Sequence, residues 1–208
     1  LKARAEANEA FGAELKKGKK ADAQRGYEIA CKEWMDVRSF GQVFAFKGSD
    51  LSLGIRGPVS VQPAFSVDPI DITSMQITKS VNSEDKEGKS SDTMGMKHRV
   101  DFGVYILKGS INVQLSEKTG FTEEDAEKIK EAIRTLFVND SSSARPDGSM
   151  VMHKLYWWKH NCKIGQYSSH KVHNSIEIKK KEGVRNPRKI EDYEIICHEL
   201  PGLAVEEY

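Results

Sequence analysis

The sequence predicts an α+β protein, and three observations carry that prediction. Small and apolar residues recur at helical spacing up to Met35. From Phe40 the apolar period drops to two. A strongly signalled helix near Thr122 then separates this strand-rich stretch from three further strand-like runs. The succession is compatible with a ferredoxin-like sheet carrying insertions. The 208 residues suit one domain, or one domain with an excursion. A hydrophobic fraction of 38% supplies a core, and 30% charged residues fall short of a disordered profile.

Residues 1–17 read as a helix through Ala3, Ala7, Ala10, Phe11 and Leu15, ended near Gly18. Residues 22–35 read as a second helix, with Tyr27, Ala30, Cys31 and Trp34 on one face, and the pair makes a small helical lobe. The chain opens at Leu1, without a Met and already inside the helical pattern, so a further N-terminal element is expected upstream. Residues 42–46 and 51–55 read as short strands joined by a Lys-Gly-Ser-Asp turn. Gly57-Pro58 breaks the chain, Val59 to Val61 resume extended structure, and Pro63 and Pro69 confine the next stretch to an edge, bulge or loop.

Two strand-like arms follow, one at residues 77–83 and one at 91–103. Between them lies a loop of Ser, Glu, Asp, Lys and Gly with no apolar anchor, which suits a projecting hairpin. Residues 99–115 read as extended, with Val100, Phe102, Val104 and Ile106 on one face; 110–117 are open between strand and helix. Residues 122–137 carry the clearest helix. Thr122 is its N-cap, Asp125 completes a capping-box-like pattern, and Ala126, Ile129, Ile133, Leu136 and Phe137 form its buried stripe. After a polar loop at 139–149, residues 151–159, 171–179 and 193–200 read as strands.

Composition excludes several classes of function. No apolar run approaches the ~20 residues that span a bilayer, and no signal-peptide pattern opens the chain. Cys31, Cys162 and Cys197 are odd in number and far apart, which fits a reducing cytoplasm rather than a disulfide framework. His160 near Cys162, and His198 beside Cys197, lack the CxxC pairs of a zinc site, so neither metal nor cofactor is expected. Net charge is only +1, but the charges are segregated. Between Gly148 and Lys189 ten Lys and Arg stand against two glutamates; beyond Ile190 there are six carboxylates and no Lys or Arg. Such blocks can serve nucleic-acid contact and head-to-tail self-association, or simply neutralise each other as solvated faces.

Several motifs occur in a specific order: Trp34-Met35-Asp36-Val37-Arg38-Ser39-Phe40-Gly41, Ile55-Arg56-Gly57-Pro58-Val59, Phe65-Ser66-Val67-Asp68-Pro69 and the stretch from Thr93 to Gly103. Glu117-Lys118-Thr119-Gly120-Phe121, Ser143-Ala144-Arg145-Pro146 and Tyr156-Trp157-Trp158-Lys159-His160 follow. Together they resemble the backbone subunits of type I-C CRISPR Cascade, the Csd-type branch of Cas protein family seven in the RAMP superfamily. The resemblance implies one RRM-like domain over 1–208, with helical fingers over 1–36 and a thumb hairpin over 71–99. It further implies a non-catalytic subunit that polymerises along a CRISPR RNA and presents it to target DNA. The partners are then further copies of itself and other Cascade subunits. The family's N-terminal strand and Gly/Asn/Asp-rich loop are absent, as are the aromatic RNP motifs of ordinary RRMs.

A filament that accepts any spacer must hold phosphates and sugars and leave base edges free. Arg38, Arg56, Lys79, Lys97 and Arg99 have the right charge, and Gln62, Ser66, Ser80 and His98 can add neutral hydrogen bonds. Met94 and Met96 share a face of an extended arm, where flexible thioethers could wedge against any base. Asp36 is expected to pair with an Arg or cap a helix. The alternative is a RAMP-superfamily endoribonuclease processing CRISPR RNA, with His98, Lys97 and Tyr105 as an acid/base set. Strand alternation, which points His98 and Lys97 to opposite faces, weighs against it.

Overall fold

The computed structural model describes residues 20–45, 52–78 and 94–208. The expected helix at 1–17, the turn between the first two strands and the hairpin loop lie outside the described residues. What is described is α+β, and its strands pair into small two-stranded antiparallel sheets. The chain divides into two compact units: Leu1–Gln62, Gly109–Val172 and Glu199–Tyr208 form the first, Pro63–Lys108 and His173–His198 the second.

In the first unit, α1 (Lys20–Glu33) and α2 (Met35–Phe40) precede a hairpin of β1 (Gly41–Ala45) and β2 (Ser52–Arg56). Alternation along this hairpin sends Phe44, Leu53 and Ile55 inward, where they bury against Ala30, Cys31 and Val37 with Tyr27 and Trp34 packed alongside. The helix expected over 22–35 is interrupted. Trp34 takes an extended conformation and starts a new short helix, and carbonyls freed near the end of α1 accept bonds from Arg38, as described below. Gly41, at φ 81°, and Gly57 let the two chain segments touch backbone to backbone; a Cβ on either would collide with the other segment's main chain.

The rest of this unit comprises β3 (Val59–Val61) paired with β8 (Gly109–Ile111), α3 (Val113–Thr119), α4 (Glu123–Arg134), and β9 (Tyr156–Trp158) paired with β12 (Val205–Glu207). The open stretch at 110–117 resolves as strand then helix, because the Asn112 side chain caps Leu115 N–H and starts α3. Thr122 and Asp125 form the full capping box of α4. That helix ends at Arg134, so Leu136 leaves the buried stripe and stands 46% exposed.

The second unit holds β4 (Phe65–Ser66) with β7 (Tyr105–Ile106), β5 (Ile72–Thr78) with β6 (Met94–Val100), and β10 (Ile176–Lys180) with β11 (Tyr193–Cys197). The long strand expected over 99–115 is therefore three short ones. The strand expected over 171–179 is corrected as well: α5 (Ser169–His173) occupies its start and β10 begins at Ile176. The expected strand at 151–159 contracts to Tyr156–Trp158.

Candidate nucleic-acid interface

Of the arms expected over 77–83 and 91–103, residues 79–83 and 91–93 lie outside the described residues; β5 and β6 pair in continuous register, from Ile72↔Val100 to Thr78↔Met94. Alternation sorts their side chains. Met94, Met96 and His98 lie on one face with Ser74 and Gln76; Lys97 and Arg99 lie on the other with Thr73, Met75 and Ile77. Every residue of β6 is exposed, Met94 at 64% and Met96 at 58%, so the two methionines do not belong to a core. A ribbon of two strands is at best marginally stable alone. Its apolar groups therefore call for partners.

Each face has its own fixing contacts. Ser74 Oγ and His98 Nδ1 lie 2.8 Å apart, and Gln76 Nε2 donates to Met94 Sδ. On the other face Asp101 accepts from Arg99 Nε at 2.8 Å and from Thr73 Oγ1 at 2.9 Å. The Thr73 bond, helped by Arg99, draws the Asp101 carboxyl below its ordinary pKa and keeps it anionic. Arg99 is thus oriented through Nε while 56% of its side chain stays exposed. Sequence reading passed over Asp101 as a support, though its i,i+2 spacing to Arg99 on an extended strand was the available signal. Among the described residues Lys97 has no ion-pair partner. Lys79 and Ser80 lie outside the described residues.

Arg38 and Arg56 are both in the first unit and differ sharply. Arg56 ends β2 with its side chain exposed, and among the described residues it has no ion-pair partner. Gln62, just past β3, is also exposed. The Arg38 guanidinium is turned inward. Its Nε and Nη2 donate to the two oxygens of Asp125 at 2.8 and 2.6 Å, while Nη1 reaches the carbonyls of Cys31 and Lys32 at 3.5 and 3.4 Å. Asp125 is 1% exposed and also accepts from Thr122 N–H and Oγ1. These donors, Arg38 foremost, hold its carboxyl at about 2 against an ordinary 3.8. One bidentate pair therefore clamps α1, α2 and α4 together. Asp36 lies in the first turn of α2.

Members of both segregated charge blocks find partners within the chain. Glu206 accepts from Lys130 at 2.8 Å, Glu207 pairs with Lys154, and Lys159 and Lys163 pair with Glu123 and Glu117. Lys130, nearly buried, lies over the rings of Trp157 and Tyr208, and its ammonium is strongly favoured by Glu127 and Glu206. In the second unit Asp68 accepts from Tyr193 Oη at 2.8 Å and pairs with Lys180 at 3.0 Å. Burial, and then the Asp68 bond, push the Tyr193 phenol up to about 12. Much of the basic segment is thereby spent on the chain's own carboxylates.

The acid/base set of the endoribonuclease alternative does not converge. Lys97 and His98 project from opposite faces, and Tyr105 belongs to β7, in another sheet. Among the described residues no three His, Cys, Asp or Glu side chains are grouped to hold a metal ion, and no helix is long and apolar enough to cross a membrane.

A family model described as CRISPR-associated protein Cas7 matches residues 2–198. No curated protein matches the chain.

Proposed function

The chain belongs to the CRISPR-associated Cas7 family, whose members are RNA-binding backbone subunits of Cascade-like complexes, and from that premise we propose that it serves type I-C Cascade. In this reading copies polymerise head to tail along the guide RNA and present its spacer to target DNA without cutting RNA. The domain retains an RRM-like palm with fingers over 1–36 and a thumb over 71–99.

The observation that carries the reading is the β5–β6 ribbon, which divides two kinds of chemistry between its faces. Lys97 and the Asp101-braced Arg99 grip phosphates on one side. Met94 and Met96 on the other wedge a base aside without choosing among bases, and His98 adds a hydrogen bond. Arg56, Gln62, Lys79 and Ser80 extend the contact to sugar and phosphate. Arg38 supports it through the clamp on Asp125 rather than by touching RNA.

The test is binding of the full chain to unrelated single-stranded RNAs of spacer length. Affinities within a few-fold of one another, several copies per RNA and intact RNA after incubation are expected. Strong sequence preference, or cleavage of a CRISPR repeat that is lost in His98→Ala, would reverse the reading in favour of the endoribonuclease.

A further inference from the structure

The loop that follows β9 is tied down along its length. Gly165 N–H donates to the Cys162 carbonyl at 3.1 Å and closes a turn. Gln166 N–H donates to His160 Nδ1, and Asn161 N–H to Gln166 Oε1, each at 3.0 Å. From α3, Gln114 donates to the Lys163 carbonyl and Glu117 pairs with the Lys163 ammonium. Gln166 Nε2 and Tyr167 Oη donate to the carbonyls of Gly202 and Pro201. Within this turn Ile164 is 91% exposed, the highest value of any large apolar side chain among the described residues. A single exposed apolar residue is ordinary on a surface. One fixed from both sides is preorganised for docking, because little conformational freedom is left to lose.

The second unit carries a surface of the opposite shape. Ile70, Phe102, Val104 and Pro187 line a cavity, with Asp71 and Arg188 among its other lining residues. Both of these charged residues are exposed, and among the described residues neither has an ion-pair partner. Tyr105, 46% exposed, continues the apolar wall, since a Cβ on Gly103 would touch both its ring and Ile70. The turn thus sets one apolar side chain beside a cation and an anion, Lys163 and Glu117. The cavity sets apolar walls beside an anion and a cation. The two surfaces are complementary in shape, polarity and charge.

From this we propose that Ile164 of one copy docks into the Ile70–Phe102–Pro187 cavity of the next, with Lys163 facing Asp71 and Glu117 facing Arg188. The proposal rests on the reading of the chain as a subunit that assembles along RNA, and it names a contact between neighbours. The two surfaces differ, so the contact is heterologous and repeats along a filament rather than closing a pair. Burying one isoleucine contributes about ten- to hundredfold to association. A stable free dimer needs an interface of about 1,200 Å² or more, which one side chain does not supply. The contact therefore acts once RNA holds two copies at high local concentration, and it shows as cooperativity.

Cys162, an exposed free thiol in the same turn, reports on the contact. The test compares maleimide labelling of Cys162 in the free full chain, on an RNA just long enough for one copy, and on a spacer-length RNA. Labelling should slow by about tenfold or more on the long RNA alone. Ile164→Asp should leave the melting temperature and one-copy affinity unchanged and lower cooperativity on the long RNA by about tenfold or more. Ile164→Leu should retain that cooperativity. In Asn186→Cys, which places a thiol in the cavity lining, a short bismaleimide should join Cys162 of one copy to position 186 of the next on the long RNA. Adding Cys162→Ser should abolish that product. Equal labelling on the two RNAs, cooperativity untouched by Ile164→Asp, or no cross-link each overturns the proposal, while several copies per RNA would still uphold the parent reading. A chain that never loads more than one copy on the long RNA removes both.

Discussion

The clamp around Arg38 and the ribbon that carries Arg99 use the same residue type in opposite ways. Arg38 has its carboxylate partner buried, and its remaining donors turn to helix-end carbonyls of the same fold. Arg99 is held through Nε by Asp101, and more than half of its side chain is exposed. The first arrangement maximises what a guanidinium contributes to the folded state. The second contributes little to stability and leaves donors for a ligand. Charge alone does not distinguish a structural arginine from a binding one; the location of its acid does.

The largest test of this contrast is to break the clamp. Arg38→Ala should destabilise the chain by about 3–5 kcal/mol, because it strands a buried carboxylate. Replacing both partners, as in Arg38→Met with Asp125→Leu, should restore a large part of that loss in denaturant unfolding. A small effect from Arg38→Ala would put Arg38 back among the RNA ligands. Acid provides the next test. Asp125 is depressed in the folded state, so its contribution is fully present above about pH 4 and is lost as pH falls toward about 2. That contribution amounts to about 2 kcal/mol, and Asp125→Asn should flatten stability across this interval while lowering it at neutral pH.

The ribbon should behave in the reverse manner. Lys97→Ala with Arg99→Ala should change unfolding free energy by only about 0.5 kcal/mol. RNA affinity should drop by about 1–3 kcal/mol for every sequence, with a shallower salt slope. An unchanged slope would remove both residues from the interface. The smallest effect belongs to the wedge. Met94→Gly with Met96→Gly should leave affinity nearly intact and make the regular kinks of the guide less distinct to chemical probing.

Local chemistry was legible where one segment satisfies itself. The Thr122–Asp125 capping box, the Tyr27/Ala30/Cys31 face and the shared face of Met94 and Met96 all follow from fixed spacing along a helix or strand. Lengths were less legible. Residues 99–115 keep an apolar pattern through breaks set by pairing with β4 and β3, and residues 171–179 mix a helical turn with a strand.

From the sequence alone came the α+β class, the hairpin and its alternation, and motifs whose family is matched over residues 2–198. All of these depend on spacing and order along one chain. Only the tertiary structure determined that Arg38 belongs to Asp125, 87 residues away, and that Glu206 and Glu207 answer Lys130 and Lys154. Partner choice between distant charges depends on which surfaces the fold brings together, and sequence spacing carries no record of it.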